Sequence, residues 1–105
     1  MGTLFYDDAR FVLDDRLLAH LQIIISLKLR RGESFFLSWK SSESEAEGRN
    51  VIWIDNGVPL RMRFDESETP KINRAWAETL ALSANTNNGL VITGESIEPA
   101  DQPEA

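Results

Sequence analysis

A chain of 105 residues, 42% hydrophobic and 27% charged, has the size and composition of one globular domain. It holds no cysteine, which excludes a disulfide framework, a thiolate nucleophile and a zinc–thiolate site. The net charge of −6 is concentrated: Glu43, Glu45 and Glu47 in 41–47 and Glu95, Glu98, Asp101 and Glu104 in 95–105 meet no cation there, and without these seven charges the remainder carries +1.

Thr3 to Tyr6 and Arg10 to Leu13 are rich in β-formers and flank the turn Asp7-Asp8-Ala9, which predicts two short strands. The stretch from Asp14 to Glu33 follows and is the longest apolar-periodic segment. Asp14 or Asp15 caps its start, Lys28, Arg30 and Arg31 suit the carbonyl end of its dipole, and Gly32 stops it. Leu17, Leu18, Leu21, Ile24, Ile25 and Leu29 fall on one broad face of this helix. His20, Ile23 and Leu27 form a second apolar shoulder beyond that face, suited either to cover by another element or to self-association.

Ser34 to Lys40 reads as a strand with Phe35, Leu37 and Trp39 on one face and Phe36, Ser38 and Lys40 on the other. Residues 41–49 are expected to form a mobile polar loop. Asn50 to Asp55 is a further strand, Asn56-Gly57 a hairpin signal, and Pro59 to Phe64 alternates, with Leu60, Met62 and Phe64 inward and Arg61 and Arg63 outward. These three strands are expected to form an antiparallel meander. Thr69 and Pro70 then mark the start of a second helix with a stripe at Ile72, Trp76 and Leu80, and Asn85 to Gly89 end it. Leu90 to Thr93 is a last short strand. The predicted fold is α+β in the order ββαβββαβ, a mostly antiparallel sheet of about six short strands backed by two helices. It is a single domain over 1–94 with an acidic disordered tail over 95–105.

Met1-Gly2-Thr3-Leu4, Asp15-Arg16 with Leu18-Ala19-His20-Leu21, and Lys28 to Glu33 form one set of short motifs. Further on come Ser38-Trp39, Ile52-Trp53, Pro59-Leu60-Arg61 with Phe64, Asn73-Arg74 with Trp76, and Ser83-Ala84-Asn85 before Gly89-Leu90. In these residues the chain resembles a family of short actinobacterial proteins that carry a domain of unknown function. The resemblance implies a cytoplasmic protein and brings no catalytic residues with it. Some members bear the label ATP-dependent DNA ligase, which the residues do not support. A ligase of that kind needs a lysine followed one residue later by an acid and a glycine. Lys28, Lys40 and Lys71 are followed instead by Leu29-Arg30, Ser41-Ser42 and Ile72-Asn73.

Other chemistry is thin. His20 has no carboxylate one turn away on either side, and one histidine cannot build a histidine-rich metal site. Asp7-Asp8 and Asp14-Asp15 would make a carboxylate-only cation site if the first hairpin joined them, but turn and cap duty explains all four. There is no phosphate-binding glycine loop and no nucleophile elbow. No catalytic residue, metal or cofactor is therefore expected. Nor is a membrane span or a signal peptide expected, and a cytoplasmic location follows. The expected role is a non-catalytic module that contacts a partner protein or its own copy, through His20, Ile23 and Leu27 in the latter case. The alternative is a nucleic-acid accessory protein whose outer sheet face carries Lys40, Trp53, Arg61 and Arg63.

Overall fold

The long helix α1, Asp15–Arg30, forms where its local signals put it. The Asp14 carboxylate accepts from the N–H groups of Arg16 and Leu17 at 3.1 and 3.4 Å. At the other end the Gly32 N–H reaches the Leu29 carbonyl and the Glu33 N–H the Lys28 carbonyl, both at 3.0 Å, with Gly32 at φ +73°. This pair of bonds is the Schellman closure, which a residue in left-handed conformation permits. The computed structural model describes residues 1–40 and 48–94, so the expected tail at 95–105 and all of the expected loop 41–49 but its last two residues lie outside the described residues; of those two, Arg49 already belongs to the strand that follows.

Strands β1 (Gly2–Tyr6) and β2 (Ala9–Leu13) form an antiparallel hairpin around Asp7 and Asp8, with Asp7 at φ +55°. Strand β3 (Phe35–Lys40) pairs antiparallel with β4 (Arg49–Ile54), and α2 (Arg74–Ala84) leads to β6 (Leu90–Val91). The fold is α+β in the predicted element order, with six strands and two helices among the described residues. The strands are divided between two small sheets, β2-β1-β5 and β4-β3-β6, and β3 with β6 is the one parallel pair.

The predicted meander does not form. Strand β5 (Leu60–Arg63) leaves β4 and pairs antiparallel with β1. A turn does occur after β4: the Asp55 carboxylate accepts from the Ser34 hydroxyl and the Gly57 N–H, and Val58 N–H returns to the Asp55 carbonyl. The chain then passes to β1, where Asp7 N–H donates to the Pro59 carbonyl. Alternation in β5 decides which side chains face inward but names no neighbour, so either partner satisfies it. The same hairpin places Asp7-Asp8 and Asp14-Asp15 at opposite ends of β2, roughly 16 Å of strand apart. They share no site.

The core lies between the inner faces of the sheets and the helices. Leu4, Leu18, Leu21, Ile25, Leu37, Ile54, Leu80 and Leu90 are fully buried, and Phe11 of β2 meets Trp39 of β3 edge to face at 5.0 Å. Tyr6 stitches the sheets, its hydroxyl donating to the Trp53 carbonyl and accepting from the Asp55 N–H. Asp15 holds the loop after β5, accepting from the N–H groups of Asp65 and Glu66 at 3.3 and 3.0 Å. Gly2 runs beside it so closely that a Cβ would sit 2.6 Å from both the Asp15 carboxylate and the Arg63 carbonyl.

Helix α2 starts four residues later than Thr69-Pro70 suggests. Its cap is Asn73, whose side chain accepts from the Trp76 N–H. Residues before it are tied to α1 in extended form. The Arg16 guanidinium donates to the Lys71 carbonyl, and Asn73 N–H donates to His20 Nε2 at 2.8 Å. His20 Nδ1 donates to the Arg16 carbonyl at 2.7 Å, which fixes the neutral tautomer with its proton on Nδ1. The imidazole is fully buried and lies 4.6 Å from the Trp76 ring. His20 is a structural clasp between two helices.

Replacing His20 by Leu strands the buried Asn73 N–H, and a loss of about 2–3 kcal/mol in a urea unfolding titration is expected. His20→Gln, whose amide oxygen can accept from Asn73, should lose less. A His20→Leu protein as stable as the parent would refute the clasp.

Acid should loosen the same region. Burial alone would raise the Asp15 carboxyl, but the Glu66 and Asp65 N–H groups, the N-terminal ammonium and Arg63 outweigh it and hold it below its ordinary 3.8. Its ionised form is therefore worth more in the folded chain, and that stability is present above 3.8 and lost as pH falls towards the folded value. Asp15→Asn should lower the melting temperature at neutral pH and flatten its decline from about pH 5 downward. Parallel pH–stability curves for both proteins would count against this role.

Candidate functional site

Cross-strand partners point to one side of a sheet, so register alone shows what each open face presents. In β4-β3-β6 the outward positions of β3 are Phe36, Ser38 and Lys40, and they pair with Trp53, Val51 and Arg49 of β4. Phe36 and Trp53 meet edge to face at 4.8 Å. Phe36, Val51 and Trp53 remain 42%, 45% and 49% exposed, forming an apolar patch with Lys40 and Arg49 at its far end. A hollow of about 480 Å³ over this face is lined by Phe36, Ser38, Arg49, Val51, Asn87 and Val91.

The backbone beside the patch is tightly packed. Gly89 at φ +80° runs alongside Phe36, where a Cβ would sit 2.5 Å from the Phe36 carbonyl and 2.8 Å from its Cβ. Beside Trp53 the Asp55 carboxyl is held below its ordinary value first by the Ser34 hydroxyl and then by the Gly57 N–H, against partial desolvation. Lys28 reaches Glu33 at 3.0 Å and Asn85 at 3.3 Å, so its charge is engaged within the fold.

The face of β2-β1-β5 has a different character. Thr3 and Phe5 of β1 pair with Val12 and Arg10 of β2 and with Arg63 and Arg61 of β5. Arg61 lies over the Phe5 ring at 4.8 Å, and Arg63 pairs with Asp65 at 3.0 Å. A third surface is an open groove of about 500 Å³ between α1 and β5, lined by Ile25, Leu29, Leu60, Met62 and Phe64.

The four residues predicted to form one basic and aromatic face do not share one. Lys40 and Trp53 lie on the second sheet, separated by four positions along β4 since Lys40 pairs with Arg49. Arg61 and Arg63 belong to the first sheet because β5 joined β1. The predicted helical shoulder is dismantled as well: His20 is fully buried, Ile23 is half-buried against the core, and Leu27 alone is exposed, at 44%. Sequence reasoning left out Val51 and Arg49 of the apolar face and Phe5 and Arg10 of the arginine face. The alternation of their own strands could have flagged them; their grouping needed the strand order.

Among the described residues no group of three or more His, Asp or Glu side chains could hold a metal ion, and no helix is long and apolar enough to cross a membrane. Residues 1–95 match the family described as Domain of unknown function (DUF7882), and the chain belongs to it. No curated protein and no solved structure matches the chain.

Gly89→Ala should cost more than about 2 kcal/mol, since the left-handed backbone alone costs an alanine about 1–2 kcal/mol and the contact with Phe36 adds to it. Chemical denaturation measures the change. An unchanged midpoint would mean that the loop and Phe36 are not locked together.

Proposed function

We propose that this protein is a small non-catalytic interaction module of the cytoplasm that pairs with its own copy through the open face of β4-β3-β6. The observation that carries the reading is the contiguous exposure, among the described residues, of Phe36, Val51 and Trp53 on one face of this sheet. Contiguous apolar patches with a charged rim mark contact surfaces, and large aromatics dominate the energetics of such contacts. A two-fold axis through the patch would bury each Trp53 against the other copy and leave the Lys40–Arg49 pair of one copy at the opposite rim from that of the other. The described titratable side chains favour a non-catalytic role. His20 and Asp15 hold backbone N–H groups, Asp14 caps α1, and Asp55 braces a turn. The lack of cysteine favours a reducing compartment.

Sedimentation equilibrium over the micromolar range tests the pairing. The parent chain should approach a dimer as concentration rises, whereas Val51→Lys with Trp53→Glu should stay monomeric with unchanged far-ultraviolet circular dichroism. A parent chain that remains monomeric throughout that range overturns self-association through this face.

A further inference from the structure

The chain carries 17 acidic and 11 basic residues, yet the outward positions of β2-β1-β5 hold three arginines and no carboxylate. Across the strands the row reads Arg10, Phe5, Arg61, and the next row reads Val12, Thr3, Arg63. An aromatic ring therefore stands between two guanidinium groups on neighbouring strands. Strands lie about 4.8 Å apart, so the Arg10 and Arg61 backbones are roughly 10 Å from each other, with Arg63 about 7 Å further along β5. Arg10, Arg61 and Arg63 are all exposed, and Phe5 is half-buried.

The charges around this face define what it attracts. Asp65 binds Arg63 from the end of its strand, and Asp7 and Asp8 sit in the β1–β2 turn. No salt bridge to a described residue engages Arg10 or Arg61. Arg61 is instead laid against Phe5, which orients its planar group on an apolar support and leaves its charge without a carboxylate partner.

We infer that this face binds single-stranded nucleic acid. Guanidinium groups on the two outer strands neutralise phosphates, while the outer side of the Arg61 plane, backed by Phe5, gives unpaired bases a surface to stack on. A duplex offers its bases only within grooves, whereas an open sheet face meets bases that are already unpaired. Arginine suits the task better than lysine because it both pairs with phosphate and stacks. The proposal is independent of self-association, which uses the other sheet.

Fluorescence anisotropy with a labelled oligothymidylate at low salt is the test. A saturable rise is expected, with log affinity falling against log salt at a slope of about −2, three contacts at roughly 0.7 each. Arg10→Glu with Arg61→Glu should weaken binding by about tenfold or more. Both positions are exposed, so melting temperature and circular dichroism should be retained, and Val51→Lys with Trp53→Glu should bind as the parent does. Arg61→Lys should bind between the parent and the double variant. Absence of any anisotropy change at low salt overturns the proposal. Equal affinity for an abasic oligomer of the same charge also overturns it, since that would show attraction to any polyanion and no recognition of bases.

Discussion

One buried backbone donor governs the arrangement of the helices. The Asn73 N–H lies away from water, and a buried donor without a partner is costly. His20 accepts it from the middle of α1, and the Arg16 carbonyl in turn holds the imidazole in the one tautomer that can accept. Because the ring is oriented from both sides, it also presents its face to Trp76. Trp76 then reaches the Thr93 carbonyl through its indole N–H, so the end of the last described segment is anchored to the same cluster. The start of helix α2 and the segment after β6 are thus tied to α1 through one cluster.

The parts of the fold that the amino-acid order discloses are those decided within a few residues. Asp14, the cations of the last turn and Gly32 bound α1 correctly because capping is local chemistry. The inward set Leu60, Met62 and Phe64 is legible for the same reason. Thr69-Pro70 is as good a local start signal as Asp14, yet α1 overrides it from more than fifty residues away through Arg16 and His20. Likewise Asn56-Gly57 marks a turn but does not decide whether the next strand folds back on β4 or crosses to β1. The helical wheel leaves the shoulder of His20, Ile23 and Leu27 open to cover or to self-association, because a wheel has no second helix in it.

Dividing six strands between two sheets separates two kinds of surface that one continuous sheet would have mixed. The second sheet shows solvent an aromatic pair and a valine; the first shows arginines around a half-buried phenylalanine. Tyr6 joins them at one end through its hydroxyl, so the two faces are mechanically connected while chemically distinct. With β5 on β4, Arg61 and Arg63 would have left the first sheet, and its cationic face would not have formed. Strand order thus decides surface chemistry here as much as composition does.

The three indoles occupy three separate settings. Trp76 sits in the helix clasp, Trp39 in the contact between the sheets, and Trp53 on the open apolar face; the first two are buried and the third is half in water. A collisional quencher dissolved in water can therefore reach one emitter readily and the other two only when the interior opens. The chain is its own optical instrument: events on its surface and loosening of its interior leave different signatures in the same emission, with no dye attached.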